Sequence, residues 1–82
     1  MSNKSEVNAA RAALQLFPAK ACPHVILIRR AAESLLANKD SAESTNFFVK
    51  ALAFSMARIA IEKPEQRSVV LTEAHWELLW NL

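Results

Sequence analysis

The side chains best suited to metal binding or nucleophilic catalysis in this sequence are those of Cys22, His24 and His75. A structural zinc site needs four Cys or His ligands, whereas here two candidates flank Pro23 and the third lies far along the chain. A Cys22–His75 nucleophilic pair would also need an oxyanion-stabilising group, and no motif supplies one. We therefore expect no metal, no cofactor and no catalytic residue. We expect Cys22 to be a small buried side chain and His24 to be exposed in the first turn of a helix.

Two pairs of carboxylates lie near predicted helix ends, Glu62 with Glu65 and Glu73 with Glu77. This spacing is typical of solvated helix ends, so we assign these residues no acid–base role. The sequence contains no glycine, and phosphate-binding loops need glycine where the backbone approaches a ligand closely or takes a positive φ. These observations exclude the common nucleotide-binding enzymes, and we predict that the protein is not an enzyme.

Four arginines form the candidate basic site: Arg29, Arg30, Arg58 and Arg67. Such a patch would suit nucleic-acid phosphates or an acidic protein surface. The competing interpretation is a set of solvated helix faces, on which Arg29 pairs with Glu33 one turn later. Ten Lys and Arg against eight Asp and Glu give a net charge of +2, too small and dispersed to indicate nucleic acid by itself. Nucleic-acid binding, directly or within a ribonucleoprotein, is therefore the alternative function.

The pair Trp76 and Trp80 is the most informative feature, because tryptophan is enriched in binding hot spots. We expect one indole in the core and the other partly exposed, which makes the C-terminal helix a candidate binding edge. Ile26 is an aliphatic residue on an otherwise polar helix face. The full set of candidate partner-binding residues is Trp76, Trp80, Leu79, Phe54, Ile26, Arg29, Arg30, Arg58 and Arg67.

The elements that hold these residues are predicted to be helices. With no glycine, no tyrosine and three prolines, the chain lacks the turn residues of hairpins and sheets. Helix one is expected to begin at the N-cap Ser5 and to end by Phe17, because the following proline disfavours helical geometry. Helix two is expected to run from Pro23 to about Ala37, and Asn38 to take the left-handed conformation at its end.

Helix three is predicted over about 41–63 and is apolar around most of its circumference. Asp40 with Glu43 has the spacing of a capping box, and Ser44 is a rival N-cap. One side of the helix carries Phe48, Leu52, Met56 and Ile59, and another carries Phe47, Ala51, Phe54 and Ile61. A helix of this kind must be covered on more than one side, by the Trp76–Trp80 helix or by another molecule.

The last part of the chain is ambiguous between two structures. Residues 64–71 either continue a helix from Pro64 or form an extended link. We favour a break, with Thr72 as the N-cap of a short C-terminal helix.

We predict an all-α fold: one domain over 1–82 with flexible residues 1–4, built as a small bundle of three to four helices with helix three central. Short connections favour antiparallel neighbours. The expected core residues are Phe47, Phe48, Leu52, Met56, Ile59, Ile28, Leu35, Leu14, Phe17 and Trp76.

Hydrophobic residues make up 52% of the 82 positions, more than a small domain buries readily. Because apolar surface is left over without a catalytic constellation, we expect a non-enzymatic protein–protein interaction module. It would be a homodimer, a small subunit, an adaptor or an inhibitor docking on a larger complex, and the format suits an inhibitor encoded by a mobile element. We see no secretory signal and no bilayer-spanning segment, so we expect a cytoplasmic protein without membrane contact.

Overall fold

A computed structural model describes residues 3–82, and over that range the chain forms five α-helices, one 3-10 turn and no strand. The all-α prediction is confirmed, with one short helix more than the three or four expected. Residues 1–2 of the predicted flexible start lie outside the described residues. Asn3 and Lys4 lie inside them, and helix α1 already begins at Lys4.

Helix α1 spans Lys4–Leu16 and buries Val7 and three alanines against its neighbours. The predicted N-cap Ser5 is wrong, because Ser5 lies inside the helix and Asn3 occupies the cap position. The Asn3 amide does not cap the helix. It donates to the carbonyl O of Lys39 at 2.6 Å and to Oγ1 of Thr45 at 2.7 Å. These bonds fix the start of α1 beside the connection that leads into the third helix.

Helix α2 spans Pro23–Ala37, as predicted, with its proline in the first turn. The left-handed conformation expected for Asn38 is wrong, because its φ is −135° and no described residue has a positive φ. Instead, the Asn38 side-chain amide donates to the carbonyl O of Ser34. The helix therefore ends through backbone and side-chain bonds to its last turn, without a residue in the conformation that glycine usually supplies.

Helix α3 spans Ala42–Glu62 and is the longest element. Neither predicted cap is correct, because Ser41 is the N-cap and its Oγ accepts the backbone N–H of Ser44 at 3.1 Å. Asp40 lies one residue too early for that bond. The helix ends just before Pro64, whose ring is compatible only with the first turn of a new helix.

Residues 64–71, which the sequence left ambiguous, are helical as far as Val70, and the break follows at Leu71. A 3-10 turn, Pro64–Gln66, leads directly into the short helix α4, Arg67–Val70. Leu71 leaves helical geometry, and α5, Glu73–Trp80, follows with Thr72 as its N-cap. The predicted break and its N-cap, Thr72, agree with the structure. The alternative of an extended link over 64–71 does not, because residues 64–70 are helical.

The core lies between α1, α2 and α3, with α5 packed on α1 and α3. Seven of the ten predicted core residues are fully buried: Phe17, Ile28, Leu35, Phe48, Leu52, Met56 and Ile59. Leu14 and Trp76 are partly buried against them. Phe47 is a wrong prediction, because it is 45% exposed on the side of α3 opposite the core. Buried alanines at the helix contacts, such as Ala10 and Ala32, let the helices approach closely.

The helix directions follow from contacts at both ends of the bundle. Asn3 joins the start of α1 to Thr45 in the first turn of α3, so α1 and α3 run the same way. His24, at the start of α2, meets Glu62 at the end of α3, so α2 runs against both. Leu16, at the end of α1, meets His75 near the start of α5. Helix α5 is therefore antiparallel to α1 and α3.

Candidate functional site

His75 is buried, and both of its ring nitrogens are hydrogen-bonded. Nδ1 lies 3.2 Å from the backbone N of Thr72 and 2.7 Å from its hydroxyl, while Nε2 lies 2.8 Å from the carbonyl O of Leu16. A ring protonated at Nε2 satisfies this arrangement, because Nδ1 accepts from Thr72 and Nε2 donates to Leu16. The ring also packs against Phe17, with centroids 4.6 Å apart. His75 is therefore a cap for α5 and an anchor for the end of α1.

The other two candidates for chemistry lie at the start of α2. Cys22 is buried at the N-cap position, as expected for a small apolar side chain. His24 is only partly exposed, contrary to the prediction, because its Nε2 lies 3.1 Å from Oε1 of Glu62. Glu62 also forms an ion pair with Arg58, which lies one turn earlier on α3. Among residues 3–82, no group of three or more His, Cys, Asp or Glu side chains is arranged to hold a metal ion.

Arg29 occupies a position that the sequence analysis did not predict. It does not pair with Glu33. Its Nη1 donates to the carbonyl O of Leu14 at 2.8 Å and of Phe17 at 2.6 Å. Together with His75 on Leu16, it satisfies carbonyl groups that a helix end leaves without partners. A cationic group at this end also interacts favourably with the helix dipole. Arg29 is therefore engaged within the fold.

The remaining arginines of the predicted patch do not converge on one site. Arg58 forms an ion pair with Glu62 on α3, and the Arg67 guanidinium donates to the carbonyl O of Ala60. Arg30 is exposed on α2, and of the four it alone makes no hydrogen bond or ion pair within the described residues. Of the four guanidinium groups, only that of Arg30 has no partner within the described residues, and the four do not form a basic cluster.

A row of large apolar side chains lies on the outward side of α3. Phe47, Phe54 and Ile61 are 45%, 60% and 71% exposed. They recur every seven residues, and two α-helical turns nearly equal seven residues, so they form one stripe about 21 Å long. Leu52 and Met56, on the opposite side, are fully buried. Within the described chain, α3 is thus covered on one side only.

Helix α5, which packs on α3, carries a further exposed aromatic residue, Trp80. The indole of Trp80 is 70% exposed, whereas Trp76 and Leu79 are partly buried against the core. Leu78 and Asn81 line a groove against α1. At about 100° per residue, Trp80 points about 100° from Asn81 and about 160° from Leu78, which is away from this groove. We call Phe47, Phe54, Ile61 and Trp80 the α3–α5 face.

Charged side chains border the α3–α5 face on both helices. Lys50 lies between the two exposed phenylalanines on α3, and Glu73 and Glu77 lie outward on α5, which has no Lys or Arg. None of these three side chains takes part in a hydrogen bond or ion pair within residues 3–82. On α3, Glu43 is also exposed one turn before Phe47, so α3 carries both signs of charge along the stripe, whereas α5 carries negative charge only.

Further exposed apolar residues lie outside the α3–α5 face, and of two clefts one lies away from it and one at its edge. Ile26 is 41% exposed on the outward side of α2, as predicted, and Val69 is exposed on α4. An open groove of about 280 Å³ between α1 and α5 has a floor of Ala9, Ala12 and Leu78. A more polar cleft of about 360 Å³ lies between the end of α2 and the start of α3, with Phe47 at its edge. Neither holds a convergent set of ionisable groups.

Comparisons with known proteins give no relative for this chain. No protein-family model, no curated protein and no solved structure matches it.

Proposed function

We propose that this chain is a non-enzymatic protein–protein interaction module that binds its partner through the α3–α5 face. The observation that carries the proposal is the exposure of three aromatic side chains and one isoleucine on two neighbouring helices. Burying a large apolar side chain stabilises by about 1.5–3 kcal/mol, so leaving four of them in water is unfavourable for a free monomer. A partner that covers them recovers this energy.

The composition of the face also supports binding. Interface hot spots are enriched in tryptophan and other aromatic residues that lie in a group and are surrounded by polar residues. Here Phe54 and Trp80 are flanked by Lys50 and Glu77. Isolated exposed apolar residues are ordinary on protein surfaces, but a stripe repeated at seven-residue intervals is a helix–helix packing pattern.

The side chains suited to chemistry support a non-enzymatic role, because they already have structural partners. His75 uses both ring nitrogens within the fold, His24 is bonded to Glu62, and Cys22 is buried. A catalytic pair needs a nucleophile within hydrogen-bond reach of a base, with a further group that orients the base. We therefore propose that the protein acts by binding a partner through its surface.

Site-specific photocrosslinking in the native host tests this proposal. A photoreactive phenylalanine analogue at Phe54 or Ile61 is expected to give discrete covalent adducts. The same analogue at Gln15, which is exposed on the outward side of α1, is the matched control and is expected to give none. Equal yields at all three positions, or no adduct at any position, would rule out a specific binding face.

Among residues 3–82, no helix combines the length and the hydropathy required to cross a bilayer.

A further inference from the structure

We infer that the partner covers the α3 stripe with a single amphipathic helix of another protein, packed along Phe47, Phe54 and Ile61. The inference rests on the proposed function and adds the structure and the charges of the partner segment. It starts from three features of α3: the spacing of the exposed apolar side chains, the small residues beside them, and two charged side chains without partners.

The spacing of the stripe favours a helix over an extended segment. Phe47, Phe54 and Ile61 are separated by seven residues each, which is about 10.5 Å along α3. A second helix repeats the side chains of one face at the same interval, so it makes equivalent contacts with all three. A strand presents one face at every second residue, at about 6.7 Å or 13 Å, and therefore does not match this spacing.

Small side chains beside the stripe leave room for side chains of the partner. Ala53 and Ala57 are both exposed. With Lys50 and Phe54 they occupy the i, i+3, i+4 and i+7 positions that surround one hole on a helix surface, and such a hole receives one side chain from a facing helix. Because two of the four residues are alanines, this hole is wide enough for a large side chain. We expect the partner to insert an apolar residue there.

Two charged side chains on the same side of α3 indicate which charges the partner carries. Glu43 and Lys50 are exposed, and neither takes part in a hydrogen bond or ion pair within residues 3–82. They are seven residues apart, which is the interval of the stripe. A partner helix with a basic residue opposite Glu43 and an acidic residue opposite Lys50 compensates both charges, whereas a like charge at either place is destabilising.

The size of the stripe also fits one helix. It is about 21 Å long, and packed helices lie about 8–10 Å apart, which gives a flat area of about 200 Å². Standard interfaces bury about 800 Å² per partner. The stripe is far below that area and corresponds to about four turns of one helix lying along it. We therefore expect reversible binding.

Mapping of crosslinks in the native host tests the inference. A photoreactive phenylalanine analogue replaces Phe47, Phe54 or Ile61, one position at a time, and mass spectrometry identifies the partner residue to which each becomes attached. We expect one partner protein, with attachment sites about seven residues apart along its sequence. Sites about three residues apart would indicate an extended segment and overturn the inference, and so would sites scattered over distant segments.

Two further outcomes of the mapping distinguish the inference from the proposed function. Adducts with twice the mass of the chain would identify a second copy, which overturns the inference and leaves the proposed binding face in place. No adduct at any of the three positions would overturn both.

Charge reversal tests the predicted charges of the partner. Lys50→Glu is expected to lower the crosslink yield at Phe54 by about three- to fivefold, because an acidic partner residue then faces a like charge. Arg30→Glu makes the same reversal at an exposed position on α2 and is expected to leave the yield unchanged. Circular dichroism confirms that both variants are folded. Equal losses from the two variants, or no loss with Lys50→Glu, would overturn the acidic residue assigned to the partner.

Discussion

The imidazole of His75 connects the start of α5 to the end of α1, because its Nε2 lies 2.8 Å from the carbonyl O of Leu16, 59 residues earlier. On the other side of the ring, Nδ1 accepts from Thr72 and caps α5. One side chain therefore fixes both the start of α5 and its position against α1. Since α5 carries Trp80, the position of Trp80 within the α3–α5 face depends on His75.

Replacing His75 is expected to destabilise the protein. His75→Phe retains a ring against Phe17 but leaves the carbonyl of Leu16 and the N–H of Thr72 without their partners. We expect a loss of about 2 kcal/mol in the free energy of unfolding. Gln15→Ala, at an exposed position on α1, is the control and is expected to change it by less than about 0.5 kcal/mol. Urea titration followed by circular dichroism measures both, and equal effects would contradict the anchoring role.

The neighbouring arginines of α2 provide a matched pair. Arg29→Ala removes the donor shared by the carbonyls of Leu14 and Phe17 and is expected to lower the free energy of unfolding by about 2 kcal/mol. Arg30→Ala, one residue later and exposed, is expected to change it by less than about 0.5 kcal/mol. Arg29→Lys should recover only part of the loss, because an ammonium lacks the planar geometry of the guanidinium. A larger effect from Arg30→Ala would refute this assignment.

The orientation of α3 can be tested with two substitutions only two residues apart. Leu52→Ala opens a cavity in the core and is expected to lower the free energy of unfolding by about 3 kcal/mol. Phe54→Ala removes an exposed ring and is expected to change it by less than about 0.5 kcal/mol in dilute monomer. Thermal or urea unfolding at low micromolar concentration makes the comparison. A larger effect from Phe54→Ala would mean that the stripe is buried within the chain.

The two tryptophans are expected to report different environments. Trp80→Phe leaves Trp76, whose partly buried indole should emit at shorter wavelength and be quenched less by acrylamide. Trp76→Phe leaves the exposed Trp80, with emission at longer wavelength and stronger quenching in dilute solution. Identical quenching of both variants in dilute protein would contradict their assignment to different environments.

The sequence was sufficient to predict α1, α2, α3 and α5 and the buried side of α3, but not the short helix α4. Leu52, Met56 and Ile59 recur at helical spacing, and the prolines mark where helices begin and end. The N-caps were harder to predict, because Asn3, Ser5, Asp40 and Ser41 are all good capping residues and differ by only a few positions. Local propensity alone does not choose between them.

The bonds of Arg29 to Leu14 and Phe17, and of His75 to Leu16, could not be predicted, because these partners lie 12 to 59 residues away and are backbone carbonyls. A carbonyl has no signature in the sequence. The absence of glycine from the sequence was an indirect signal of these roles, because helix ends without glycine need other groups to satisfy their last carbonyls. For the candidate site, the sequence identified Phe54 and Trp80, whereas the exposure of Phe47 depends on where α1, α2 and α5 pack around α3.

The central claim is that the α3–α5 face is covered by another protein molecule when the chain performs its function. Hydroxyl-radical footprinting in the native host, compared with dilute purified protein, tests it most directly. We predict that Phe54 and Trp80 are oxidised readily in dilute solution and protected in the host, while the buried Phe48 is protected in both. Equal oxidation of Phe54 and Trp80 under the two conditions would contradict the claim.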